Sequence, residues 1–177
     1  VERNAGEDTK SADVTHAHGT DAHDANEELL DGIIDSANRW TPAELMKATL
    51  SLARSSTGAD LGVLFRILGD RVQCMGCGPR VLDGPLTADQ SIEWFPWNLR
   101  NVRSYRYLFV PDATRLMATP TTSLGDLGFT SAAHLPLLGA DQRQGALQLL
   151  WREPCTEWDD AWGAQLRALG SFVLMRS

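Results

Sequence analysis

Long hydrophobic runs are what this sequence most plainly lacks. None approaches the ~20 consecutive apolar residues of a membrane-spanning helix, and no basic-then-apolar leader opens the chain, so membrane insertion is not expected. Cysteine is scarce: three residues, an odd number, do not make a disulfide framework, and a reducing, cytoplasmic setting is expected. Basic charge is short as well. Sixteen Lys and Arg face 23 Asp and Glu, a net charge of −7 with no basic stripe, which argues against direct nucleic-acid binding. Of four histidines, His134 alone lies outside the polar head of the chain, so no Ser/His/Asp triad can be assembled, and a G-x-x-x-x-G-K phosphate loop is missing. No catalytic residue and no metal site are assigned, and the chain is expected not to be an enzyme. It begins at Val1 and not at Met, as an excised piece of a longer protein would.

What is present is globular: 43% hydrophobic and 22% charged residues suit one domain with a tail. Residues 1–24 are polar and are expected to form a flexible leader, with His16, His18 and His23 solvated in it. Residues 25–40 form a connecting helix, its stripe being Leu29, Leu30, Ile33, Ile34 and Ala37. Thr41, Pro42 and Glu44 spell a capping box with proline at the first helical position, opening a second helix that ends at Thr57-Gly58. Residues 61–68 and 72–77 are strands about a Gly69-Asp70 turn. Residues 78–89 read as loop, and 91–102 as a helical segment starting near Pro96. A short strand at 107–110 stops at Pro111-Asp112, and a short helix at 121–127 is closed by Gly128. Two apolar runs within 130–151, separated by polar residues 139–143, form a second hairpin. A long helix over 156–176 presents Trp158, Trp162, Leu166, Leu169, Phe172, Val173 and Arg176 on one face. Consecutive hairpins with helices at both ends predict an α+β fold on an antiparallel sheet.

Several short segments then carry a likeness. They are Phe95-Pro96-Trp97 with Leu99, Leu108-Phe109-Val110-Pro111-Asp112-Ala113, Leu127-Gly128-Phe129-Thr130-Ser131, Leu135-Pro136-Leu137, Gly145-Ala146-Leu147 and Glu157-Trp158. In this order the chain resembles a GAF domain of the type found in bacterial sensor kinases and transcription regulators, over residues 41–177. The resemblance implies a central antiparallel sheet of about five to six strands. The N- and C-terminal helices lie on one face, and residues 79–127 form a loop and helix roof over the other, enclosing a cavity. Relatives bind cyclic nucleotides, bilins, haem, 2-oxoacids or nitrate, and some only dimerise. It further implies a sensory module of signal transduction, as in two-component systems or transcription regulation. Such a module would bind an unidentified small molecule (cofactor unknown), form a homodimer through its terminal helices, and serve a fused or partner kinase, cyclase or DNA-binding regulator. A ligand-free dimerisation scaffold is the alternative, and a thiol redox enzyme or sensor a weaker one.

The candidate ligand-binding residues follow from that picture. His134 interrupts an apolar strand and shares a face with Ala132 and Pro136, so it would hydrogen-bond a ligand or ligate iron; the plain alternative is a core histidine bonded to backbone. Trp94 and Trp97, with Phe95, would stack on a planar ligand or simply pack the roof. Arg103, beside Arg100 and Arg106, would clamp an anion, with Tyr105 alongside. Asp112 would cap the next segment or accept from the ligand, and Leu149 and Trp151 would line the floor. Cys74 and Cys77 form a C-x-x-C in a strand, and simple alternation puts them on opposite faces as core filling. Three amphipathic helices exceed what one small sheet face covers, which marks Leu30, Ile33, Ile34, Leu45, Leu169 and Phe172 as a dimer interface.

Overall fold

Thr41 shows how locally this chain sets its own boundaries. In the computed structural model, which describes residues 18–69, 71–79, 90–91, 107–112, 128–139 and 144–177, the Glu44 N–H donates to the Thr41 hydroxyl at 3.3 Å and the Thr41 N–H to the Glu44 carboxylate at 2.8 Å. The capping box therefore forms, Pro42 occupies the first turn, and helix α2 runs Pro42–Thr57. The backbone hydrogen bond from Thr41 also holds the Glu44 carboxyl below its usual pKa. Gly58 closes the helix in the left-handed region at φ 67°, where a side chain would be strained.

Helix α1, His18–Ser36, begins inside the stretch read as leader and ends four residues before residue 40, where the connecting helix was expected to end. The last helix, α3, covers Asp160–Arg176 and starts later than expected. Its start is set by Asp159, whose carboxylate accepts from the N–H groups of Ala161 and Trp162 at 2.8 and 3.1 Å. Trp158 is thereby left outside the helix, stacked on Phe109 with ring centroids 5.6 Å apart and edge-on to Trp151 at 6.4 Å.

Six strands are described: β1 Leu61–Leu68, β2 Arg71–Gly78, β3 Gln90–Ser91, β4 Leu108–Val110, β5 Ser131–Leu138 and β6 Gln144–Trp151. They pair antiparallel in the order β3-β2-β1-β6-β5-β4. The fold is α+β, as the sequence suggests. Both hairpins form, and Gly69 supplies the positive φ (64°) that the first one needs. Ser91, ahead of the helix expected from near Pro96, pairs with Arg71 as an edge strand. The helical segments expected at 96–102 and 121–127 lie outside the described residues.

The sheet separates two cores. On one side α2 and α3 pack onto Leu64, Leu135, Leu147, Leu149 and Trp151, and α1 packs against α2. On the other lie Val63, Phe65, Val72, Val110, Ala132, Ala146 and Leu150. Each fully buried leucine contributes about 1.5–3 kcal/mol relative to an exposed one, and the helix side holds Leu45, Leu64, Leu135, Leu147, Leu149 and Leu166, all wholly buried. Leu45, Ile33 and Leu169 (0%, 6% and 5% exposed) are thus internal core and not surface free to pair two copies: the helices cover one another as well as the sheet. Among the described residues no helix is long and apolar enough to cross a membrane.

Candidate functional site

The far face of the sheet, away from the helices, is built by strand parity. Residues directly opposite one another on antiparallel strands point to the same side. His134 on β5 faces Gln148 on β6, Gln148 faces Val63 on β1, and Leu108 on β4 faces His134 from the other flank. One transverse row therefore runs Leu108, His134, Gln148, Val63, with small neighbours Ala132 and Ala146 beside its polar pair.

His134 and Gln148 are both 0% exposed. Neither ring nitrogen of His134 and neither amide atom of Gln148 has a hydrogen-bond partner among the described residues. Burial alone pushes the His134 pKa down to about 4, so the imidazole is neutral at physiological pH, with one N–H donor and one acceptor nitrogen. Gln148 adds two donors and an acceptor. Leaving a buried polar group unpaired costs about 1–3 kcal/mol, and here two such side chains stand side by side. A ligand or chain segment bearing both donors and acceptors complements them.

Parity also corrects two expected floor residues. Leu149 and Trp151 lie one residue out of phase with Gln148 and point into the helix-side core, where the Trp151 indole donates to the Thr57 carbonyl at 3.0 Å. The residue that shares the His134 face is Gln148. A single polar residue among Leu147, Leu149 and Leu150 was the available signal. Asp112 sits half-buried just past β4, where the Pro111 carbonyl accepts from the Ser131 hydroxyl at 2.7 Å. Trp94, Trp97, Arg103 and Tyr105 lie outside the described residues.

Cys74 and Cys77 require a further correction. Between β1 and β2 the register shifts, so that Leu64 faces Gly76 while Phe65 faces Cys74, and Met75 is the extra residue of a β-bulge. The bulge consumes one step of alternation and brings both cysteines to the far face, against the second core, while Met75 packs on the helix side.

Two hollows open on the helical side. One, of about 420 Å³, runs between α1 and α3 and is lined by Leu30, Ile34, Ala37, Leu169 and Phe172 among others. The other, about 300 Å³, lies at the start of α3 between Thr57, Trp151, Trp158 and Trp162. Four of the six residues expected to pair two copies thus border the first hollow, and neither hollow touches His134.

This arrangement matches solved structures. The chain superimposes on the GAF domain assigned to a sensor histidine kinase of Pseudomonas syringae pv. tomato with a TM-score of 0.59 and 19% identity, covering 89% of this chain and 88% of that one. It likewise matches the phycocyanobilin-bound GAF domain of a cyanobacterial phytochrome, with a TM-score of 0.62 and 15% identity over 84% and 91% of the two chains. The chain has the GAF fold. At such identities the likeness establishes architecture alone. A third GAF-fold match overturns the expectation that this chain is no enzyme: free methionine-R-sulfoxide reductase from Neisseria meningitidis, solved with its substrate, superimposes with a TM-score of 0.63 and 16% identity over 90% and 92% of the chains. The architecture itself is compatible with catalysis. No protein-family model matches the sequence, and no curated protein matches it.

Proposed function

We propose that this GAF domain is a sensory module that binds a small molecule against the far face of its sheet, anchored by His134 and Gln148. The observation that carries the reading is the pair of wholly buried polar side chains opposite each other on β5 and β6, neither with a hydrogen-bond partner among the described residues. Two unsatisfied groups in one place are costly in the empty protein and complementary to a ligand that brings the missing donors and acceptors. The neutral imidazole and amide suit an uncharged, amide-like or heterocyclic edge. Two copies associate through the α1–α3 groove, and ligand binding biases the helices that lead to an attached output domain. The sensor kinase and phytochrome neighbours support this reading by fold.

The test is native mass spectrometry and an absorption spectrum of the purified protein, followed by thermal shift across a metabolite panel. A co-purified or panel compound should raise the melting temperature of the wild type, and both His134→Ala and Gln148→Ala should lose that response. If no compound binds, or if binding survives both substitutions unchanged, the ligand role of this pair is refuted, and a GAF scaffold that only dimerises remains.

A further inference from the structure

The bulge at Met75 does more than reverse a side chain. Cys77 stands opposite Val63 and Cys74 opposite Phe65, two residues apart on the same strand of β1, and both thiols project to the same face. At about 3.3 Å per residue along a strand, their backbones are about 6.6 Å apart with roughly parallel side-chain directions. That separation lies at the upper end of the usual disulfide Cα span of about 4.4–6.8 Å, so a direct bridge sits at its geometric limit. None of the three cysteines is in a disulfide. A metal ion placed between the sulfurs relaxes that demand. Two metal–sulfur bonds of about 2.3 Å on opposite sides of an ion set the sulfurs about 4.6 Å apart, a span that rotation of two cysteine side chains reaches.

We propose that Cys74 and Cys77 form a two-thiolate site for a soft, linearly coordinated monovalent cation of the copper(I) or silver(I) class. Thiolates select soft ions, and two ligands satisfy a linear ion. Zinc in a closed site takes four ligands, and among the described residues no cluster of three or more His, Cys, Asp and Glu side chains is placed to hold a metal. Binding breaks two S–H bonds, forms two metal–sulfur bonds and releases two protons, with no change in oxidation state. Burial first, and then the neighbouring Cys77, push the Cys74 thiol up to about 11, so a ligated ion must displace its proton. Cys155, whose thiol donates to the Glu157 carbonyl in the loop before α3, provides an internal control.

The probe is silver(I) nitrate added to the reduced protein in chloride-free and thiol-free buffer, with stoichiometry read by native mass spectrometry against a competing chelator. Wild type and Cys155→Ser should each take one tightly held ion with release of two protons in a pH-stat titration. Cys74→Ser and Cys77→Ser should each weaken that ion by about 100-fold or more, because loss of one arm removes the effective concentration that the chelate supplies. Alanine at each position, checked by far-ultraviolet circular dichroism, separates lost ligation from lost folding. Three results overturn the proposal: undiminished affinity in either single variant, loss of the tight ion in Cys155→Ser alone, or facile diamide-driven formation of a Cys74–Cys77 disulfide in the folded protein.

Discussion

Replacing Gln148 by methionine should make the ligand-stripped protein more stable, not less. The side chain is wholly buried, and both its amide oxygen and its amide nitrogen are unpaired among the described residues. Methionine has nearly the same length, is unbranched and adapts to irregular space, and brings no group that needs a partner. Removing one unsatisfied amide recovers about 1–3 kcal/mol of desolvation. In a chain of this size each kcal/mol is worth about 2–4 °C in melting temperature, so the midpoint should rise by about 2–12 °C. Denaturant unfolding of refolded, ligand-free protein measures the difference, with calorimetry as a second method. Stability and function then move in opposite directions, since the same variant should lose the ligand-induced thermal shift of the wild type. A Gln148→Met protein destabilised by more than about 1 kcal/mol would refute the reasoning, because only an amide already satisfied in the native state costs that much to remove.

Two further outcomes follow from named residues. His134 is buried neutral, so its folded pKa of about 4 lies below its unfolded value of about 6.5; the unfolded chain binds the extra proton, and the stability present above pH 6.5 should fall by about 3 kcal/mol as pH drops to 4. The facing residues Leu108, Gln148, Ala132 and Pro136 do not titrate, and in His134→Phe that slope should flatten in denaturant titrations taken pH by pH. Ile34→Glu, at a position 55% exposed on the α1–α3 groove, should abolish self-association in analytical ultracentrifugation while changing monomer stability by less than about 0.5 kcal/mol.

The parts of the fold that were legible in the sequence are those specified by short-range chemistry. Thr41, Pro42, Glu44 and Gly58 bound α2 through contacts within a few residues, and Gly69 with its flanking strands does the same for the first hairpin. His134 was legible because one polar residue in an apolar strand has a definite side. What failed depended on pairing across strands. The bulge at Met75 exists only in the register between β1 and β2, and without it Cys74 and Cys77 fall on opposite faces. Leu149 and Trp151 were assigned to the floor from their place near the strand end, whereas counting parity from the His134–Gln148 pair sends them to the helices. Leu45 and Ile33 looked spare because the stripe on each helix was counted without the helices that cover one another. Trp158 looked like the head of a helix until Asp159 took the cap.

The division of labour between the two faces explains how such a costly pair is tolerated and gives it a route to the helices. Most of the wholly buried leucine lies on the helix side, so the bulk of the apolar core is separate from the row that holds His134 and Gln148. Strand β5 belongs to both faces: His134 points to one, and Leu135 and Leu137 point to the other. Leu137 lies so close to α3 that a Cβ on Gly170 would come within 2.9 Å of it, and the Leu138 N–H donates to the Ser171 hydroxyl of the same helix at 3.1 Å. Packing this tight does not deform continuously; a shift of β5 must be met by a shift of α3 or resisted by it. A ligand at His134 alters α3 only to the extent that it binds one position of β5 more tightly than another. Enlarging Gly170 to alanine is the perturbation that acts on this contact without touching the ligand face. If ligand affinity changes in Gly170→Ala while His134 and Gln148 are intact, sheet and helix are energetically coupled; if affinity is unchanged in a folded variant, the signal leaves the sheet by another route.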